Sequence, residues 1–190
     1  MSAARRTPRR PRTAVRATAQ RPRTGAHAAA QRPPRAIGAV VVTVSDTRRG
    51  ADDTSGALAE RRLVRAGAVV TRAWVPDEVA AIRRAVRAAL ARRTVDLVLL
   101  TGGTGVAPRD VTPEAVEPLL DRPLPGFGER FRALSERTVG SAAWLSRAGA
   151  GVARGRLVVY LPGSTGAVRQ ALDELLVPEL GHLVRLLSRT

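Results

Sequence analysis

Residues 101–113 read Thr-Gly-Gly-Thr-Gly-Val-Ala-Pro-Arg-Asp-Val-Thr-Pro, and the case for chemistry starts there. Gly102, Gly103 and Gly105 let backbone amides approach an anion closely and adopt positive φ. Arg109 offers a fork-shaped donor suited to phosphate, and Asp110 an oxygen ligand suited to Mg²⁺. The stretch is not a P-loop, because no Gly-Lys-Ser/Thr ending follows. Nor is it a dinucleotide fingerprint, because Pro108 stands where the third glycine belongs. These residues point to a phosphorylated ligand with a metal, and no further.

Three more polar segments share one placement: Ser45-Asp46, Pro76-Asp77-Glu78 and Pro162-Gly163-Ser164-Thr165 each follow an apolar run. Those runs, 39–44, 68–75, 95–100 and 157–161, are continuous and rich in β-branched residues, as expected of strands buried on both faces. Between them lie helical patterns. Leu58, Leu63 and Val64 share a face of 54–66, and Val79, Ile82, Val86 and Leu90 form a stripe behind Asp77, which is placed to cap that helix. Thr112-Pro113-Glu114 reads as a capping hydroxyl, an N1 proline and a first-turn acid. A Pro125-Gly126-Phe127-Gly128 loop precedes a helix to about Glu136, another helix follows Gly166, and Pro178 starts the last one. The alternation predicts an α/β fold of three layers, a mostly parallel sheet with helices on both faces. Ligands of such sheets bind beyond the carboxyl ends of the strands, where all four polar segments converge.

Composition narrows the classes. The chain has no cysteine and two histidines, which excludes disulfides, thiolate metal sites and cysteine nucleophiles and leaves little for a His-based zinc site. No apolar run is long enough for a membrane span, and no secretory leader is expected, which makes the cytoplasm the expected compartment. The formal charge of +16 suggests nucleic acid until it is located. Residues 1–35 hold ten arginines and no acid, leaving 22 arginines against 16 acids, a net of +6, on residues 36–190. All basic residues are arginine, and Lys and Asn are both absent, as a GC-rich coding sequence would produce. Residues 1–35 therefore read as a disordered Arg/Pro/Ala-rich tail. Residues 36–190 read as one domain, and nucleic acid is not its expected partner.

The ordered set Ser45-Asp46, Thr101–Gly105, Arg109–Pro113, Pro125–Gly128 and Leu161–Gly163 resembles the MogA/MoaB family of molybdenum cofactor biosynthesis proteins over about residues 37–188. Gly-Val-Ala-Pro-Arg-Asp, Ala-Leu-Ser at 133–135 and Trp-Leu-Ser-Arg at 144–147 are more similar to its MoaB branch. The resemblance implies a molybdopterin-binding, Rossmann-like fold, trimeric or in higher multiples of three; a separate molybdate-insertion protein is a candidate partner that the sequence does not fix. It implies an adenylylation of molybdopterin by Mg·ATP that releases pyrophosphate. Carried over by motif, Asp77 and Asp110 are the catalytic acids that hold Mg²⁺. Thr101, Gly102, Gly103, Thr104, Gly105 and Arg109 cradle phosphate, while Ser45, Asp46, Pro162, Gly163 and Ser164 line the pterin pocket.

Other readings stand beside these. The fold could bind molybdopterin or its precursor without turnover. A CinA-type domain shares the glycine loop, although the chain is short for its usual companion. Asp77 could be only a helix cap, and Asp110 could serve only the positive end of the helix at Thr112. Asp52 and Asp53 read as solvated loop residues, and Trp74 and Trp144 as core or subunit-interface residues.

Overall fold

The computed structural model describes residues 35–188. The tail reading of residues 1–35 thus lies outside the described residues except at Arg35, whose guanidinium holds both carboxylate oxygens of Asp96 at 2.7 and 2.8 Å.

The elements are β1 (Ile37–Val44), α1 (Thr54–Arg65), β2 (Ala68–Val75), α2 (Val79–Ala91), β3 (Leu97–Thr101), α3 (Thr112–Val116), β4 (Arg122–Pro123), α4 (Pro125–Val139), β5 (Gly149–Ala153), β6 (Arg156–Leu161), α5 (Thr165–Ala171) and α6 (Val177–Leu187). They form one six-stranded sheet in the order β2-β1-β3-β6-β5-β4. β1, β2, β3 and β6 are parallel, whereas β5 runs antiparallel to β6 and to β4. The expected three-layer, mostly parallel architecture is what forms. Alternate side chains of the central strands feed two cores. Val41, Leu97, Leu99 and Val159 pack with Leu63, Phe131, Leu172 and Leu180 on one face. On the other, Val40, Val42, Val98, Leu100 and Val158 pack with Ile82, Val86, Leu90 and Val116. Strands buried on both faces have no polar face to show, which is why their sequence does not alternate. No helix among the described residues is long and apolar enough to cross a membrane.

Several local expectations are corrected. β4 and β5 carried no strand signal. β5 reads Gly-Ala-Gly-Val-Ala because Tyr160 and Leu120 occupy the space a Cβ at Gly149 or Gly151 would need. The β5–β6 hairpin turns through Arg154 and Gly155, both at positive φ. Asn-Gly is the usual signature there, and this chain contains no asparagine. Pro125–Gly128 is not a loop but the first turn of α4, with proline in the position that needs no amide donor. Helix α5 does not stop before Pro178. It runs through a widened π turn over Leu172–Leu176 into α6, relieving the clash a proline ring makes with the preceding turn.

Asp53 was expected in solvent and is fully buried, as the N-cap of α1. Trp74 and Trp144 are not core residues of the chain, being 39% and 72% exposed.

Candidate functional site

Strand register brings the polar segments together. Thr43 of β1 pairs with Trp74 of β2 and with Thr101 of β3, and Thr101 pairs with Leu161 of β6. The four strands therefore end level, and Ser45, Asp77, Gly102 and Gly163 lie just past one row. β1 has β2 on one side and β3 on the other, so the chain's direction of winding reverses between β1 and β3, where such folds open a crevice. A cavity of about 230 Å³ sits there, lined among others by Ser45, Arg48, Asp77, Thr101, Gly103 and Gly163.

The glycine loop is built on positive φ at Gly102 (109°) and Gly103 (63°). A Cβ on Gly102 would stand 2.2 Å from the Val44 carbonyl oxygen, so β1 and β3 could not stay paired to their ends. Thr112 fastens the loop from beyond, its amide donating to Gly103 O at 2.9 Å and its hydroxyl to Gly102 O at 2.8 Å. That use of the hydroxyl displaces the expected cap, since Thr112 is the first residue of α3 and Val111 precedes it. Gly102→Ala is expected to cost about 2–5 kcal/mol, from strain together with overpacking. Gly50→Ala, at a φ of +56° with nothing within 4 Å, should carry the strain alone. Urea unfolding of the two variants checks the difference.

Asp46 and Asp77 hold one another reciprocally. Asp77 N donates to Asp46 Oδ1 at 3.0 Å, and Asp46 N donates to Asp77 Oδ2 at 3.2 Å. Arg109 reaches across from the glycine loop and pairs with Asp46 and with Asp77, the latter at 3.3 Å. The capping role of Asp77 is thereby overturned. Glu78 is the N-cap of α2, and it makes no side-chain cap bond. Arg48, which no sequence signal marked, donates to Gly163 O at 3.0 Å and closes the cavity's other side.

The expected site residues divide by place. Ser45, Asp77, Thr101, Gly102, Gly103, Arg109 and Gly163 line this cavity, and Asp46 joins them through Asp77 and Arg109. Ser45 Oγ accepts from the amides of Thr47 and Arg48 and shapes the turn. Pro162 and Ser164 instead border a groove between α4 and α5, where Ser164 Oγ caps α5 by accepting from Ala167 N. Thr104 is buried, and the hydroxyls of Thr101 and Thr104 have no hydrogen-bond partner among the described residues. Asp110 lies on the outer side of the loop, its carboxylate accepting from Ala107 N at 2.9 Å. Among the described residues no three acidic or histidine side chains gather to hold a metal. Mg²⁺ carried by a nucleotide needs only one or two carboxylates, its other positions going to phosphate oxygens and water. Asp77 offers such an oxygen at the cavity, while Asp110 offers its own on the outer side of the loop, away from the cavity lining.

Behind the cavity, buried Asp53 accepts hydrogen bonds from Thr43 Oγ1 (2.6 Å), Gly56 N (2.8 Å), Trp74 Nε1 (3.1 Å), Ser55 Oγ (3.2 Å) and Arg72. Burial opposes its ionisation, but the bonds from Thr43, Gly56 and Arg72 and the Arg72 charge outweigh burial, so its pKa is lowered. Thr43 and Ser55 both line the cavity, so this carboxylate supports its floor. The signal that could have found Asp53 is its place immediately before an amphipathic helix, where a capping acid is favoured. On the loop's far side, Glu114 is held below the ordinary carboxylate range by its hydrogen bond from Arg147.

Residues 39–182 match the family described as a probable molybdopterin binding domain. The molybdenum cofactor biosynthesis protein B of Bacillus subtilis (strain 168) is 48% identical over 154 residues, spanning 80% of this chain and 91% of that protein. A crystal structure of a molybdenum cofactor biosynthesis protein B aligns with a TM-score of 0.80 at 45% identity, covering 84% of this chain and 100% of the other. The molybdopterin biosynthesis Mog protein of Mycobacterium ulcerans aligns with a TM-score of 0.74 at 31% identity, covering 82% and 99%.

Proposed function

The chain belongs to the molybdopterin-binding family of molybdenum cofactor biosynthesis proteins, on its MoaB branch, and from that premise we propose that it adenylylates molybdopterin with Mg·ATP. The observation that carries the reading is the meeting of Asp46, Asp77 and Arg109 above the Gly102–Gly103 loop, at the point where the winding reverses.

In the proposed reaction an oxygen of the pterin's terminal phosphate attacks the α-phosphorus of ATP. The bond from the α-phosphorus to the bridging oxygen breaks, and pyrophosphate leaves. No protein nucleophile is required, so the chain's own residues work by positioning and charge. Thr101 and Gly102 anchor the loop to the sheet, the Gly102 amide donating to Leu161 O, and the amides of Gly103, Thr104 and Gly105 would serve the phosphate oxygens. Arg109 trades its ion pair with Asp46 for the incoming phosphate, and Arg48 adds a second cation at the same rim. Ser45, Asp46 and the turn from Pro162 to Ser164 flank the pterin. Asp77 and Asp110 would hold Mg²⁺, which supplies neutralisation of charge on the reacting phosphates. Under the same reading the protein works as a trimer or a multiple of three and hands its product to a molybdate-insertion protein.

The competing reading, a molybdopterin binder without turnover, draws its support from Asp110, whose carboxylate is engaged by its own loop. Incubating the purified protein with molybdopterin and Mg·ATP separates the two. Adenylylated molybdopterin and pyrophosphate are the expected products, and tight pterin binding without either would leave only the binder. Asp110→Ala should lose turnover while keeping most pterin affinity, and retained activity would remove Asp110 from the reaction.

A further inference from the structure

The segment Trp144-Leu145-Ser146-Arg147 leads into β5, and Arg147 reaches from it onto the glycine loop at several points. Its backbone amide donates to Thr104 O at 2.9 Å. Its Nε donates to Gly105 O at 2.8 Å, one Nη to Asp110 O, and the other Nη to Glu114 in the first turn of α3. One side chain thus grips the loop where it leaves the sheet and where it re-enters a helix. Between those two points Val106 and Arg109 are largely exposed. The only internal brace is the turn in which Asp110 and Ala107 bond each other, Asp110 N to Ala107 O at 2.8 Å and Ala107 N to Asp110 Oδ2 at 2.9 Å. Thr112 fixes one end of the loop, Arg109 ties its middle to Asp46 and Asp77, and Arg147 grips it on both sides of the turn.

We propose that Arg147 is the positioning residue of this site, setting the orientation of the 105–110 loop so that Arg109 and Asp110 meet the nucleotide phosphates. The kinetic part rests on the adenylylation reading above. The task demands a planar fork. Three nitrogens in fixed relation serve two carbonyls and a carboxylate at once, whereas a lysine ammonium is a single point on a flexible stem.

The test uses the full chain with Arg147→Lys and Arg147→Gln, read in three ways. Amide hydrogen exchange over residues 104–112 is expected to quicken about tenfold or more in both variants, with β1 and β3 unchanged, as for a local opening. With Mg·ATP and molybdopterin, kcat is expected to fall about 10–100-fold, the usual cost of losing a group that orients a site residue. The dissociation constant for molybdopterin without nucleotide should stay within about twofold, because a clamp on this loop acts on the phosphates rather than the pterin. A merely structural arginine would instead lose pterin affinity and turnover together. Wild-type kcat and exchange in Arg147→Lys would overturn the proposal, and this variant decides the matter if Arg147→Gln fails to fold. If the wild-type protein makes no adenylylated product, the adenylylation reading falls and the clamp is judged by exchange alone. Unchanged exchange then overturns it.

Discussion

Asp53→Ala is expected to lower the unfolding free energy by about 3–5 kcal/mol, the cost of removing one partner from a buried ion pair. The carboxylate is fully buried and accepts from Thr43, Ser55, Gly56, Trp74 and Arg72. Its loss takes the nearer carboxylate from the Arg72 guanidinium, whose side chain is 16% exposed, leaving it Glu60 at 3.5 Å; it also orphans the Thr43 hydroxyl and uncaps α1. Asp53→Asn keeps one acceptor and the shape of the side chain, so it should cost less. The pair also sets a pH dependence. Because the folded carboxyl titrates below its ordinary value of 3.8, its contribution is fully present above that value and is lost as pH falls through the folded pKa. The stability gap between wild type and Asp53→Asn should therefore be widest near neutral pH and narrow below about pH 4. Urea unfolding midpoints from pH 3 to 7 read this directly, and a gap that widens in acid would show that Asp53 is not the ionised acceptor described.

Asp77→Asn is expected to reduce adenylylation by about 10²–10³-fold, the scale of removing one preorganised electrostatic element from a reacting centre. The substitution keeps an oxygen to accept from Asp46 N, so β1 and β2 should stay joined at their ends. What it removes is the negative charge beside Arg109 and the second anionic oxygen available to a cation. The variant should therefore melt within a few degrees of wild type while kcat collapses. Arg109 paired only with Asp46 would still meet phosphate, so affinity for ATP should change far less than kcat. An Asp77→Asn protein with undiminished turnover would move the centre of the reaction away from this cluster.

Much of this was legible in the residues themselves. The runs of β1, β3 and β6 became central strands because a strand covered on both faces must be apolar at nearly every position, whereas β2, at the sheet edge, is half-exposed and carries Thr71 and Arg72. The glycines at 102 and 103 announced a loop that only glycine can follow, and φ values of 109° and 63° bear that out. Two local readings failed for a common reason. Asp77 and Thr112 both have types and positions that suit helix capping, and both side chains were claimed by distant partners, Asp46 with Arg109 in one case and Gly102 in the other. β5 was illegible because its glycines and alanines answer to Tyr160 and Leu120 rather than to any strand propensity. Its hairpin turn used Arg-Gly in a chain that has no asparagine to offer.

The sequence by itself therefore determined the three layers, the end of the sheet where the polar segments gather, and most of the residues that meet there. Those follow from periodicity, glycine content and chain order, all local properties. Only the tertiary structure decided which polar atoms meet. It paired Asp46 with Asp77 across the ends of β1 and β2, buried Asp53 beneath Thr43 and Ser55, and brought Arg147 from the far side of the chain onto both ends of the glycine loop. The physical reason is that a hydrogen bond's partner is set by where the backbone delivers it, over separations of 31 residues for Asp46 and Asp77 and 42 for Arg147 and Gly105.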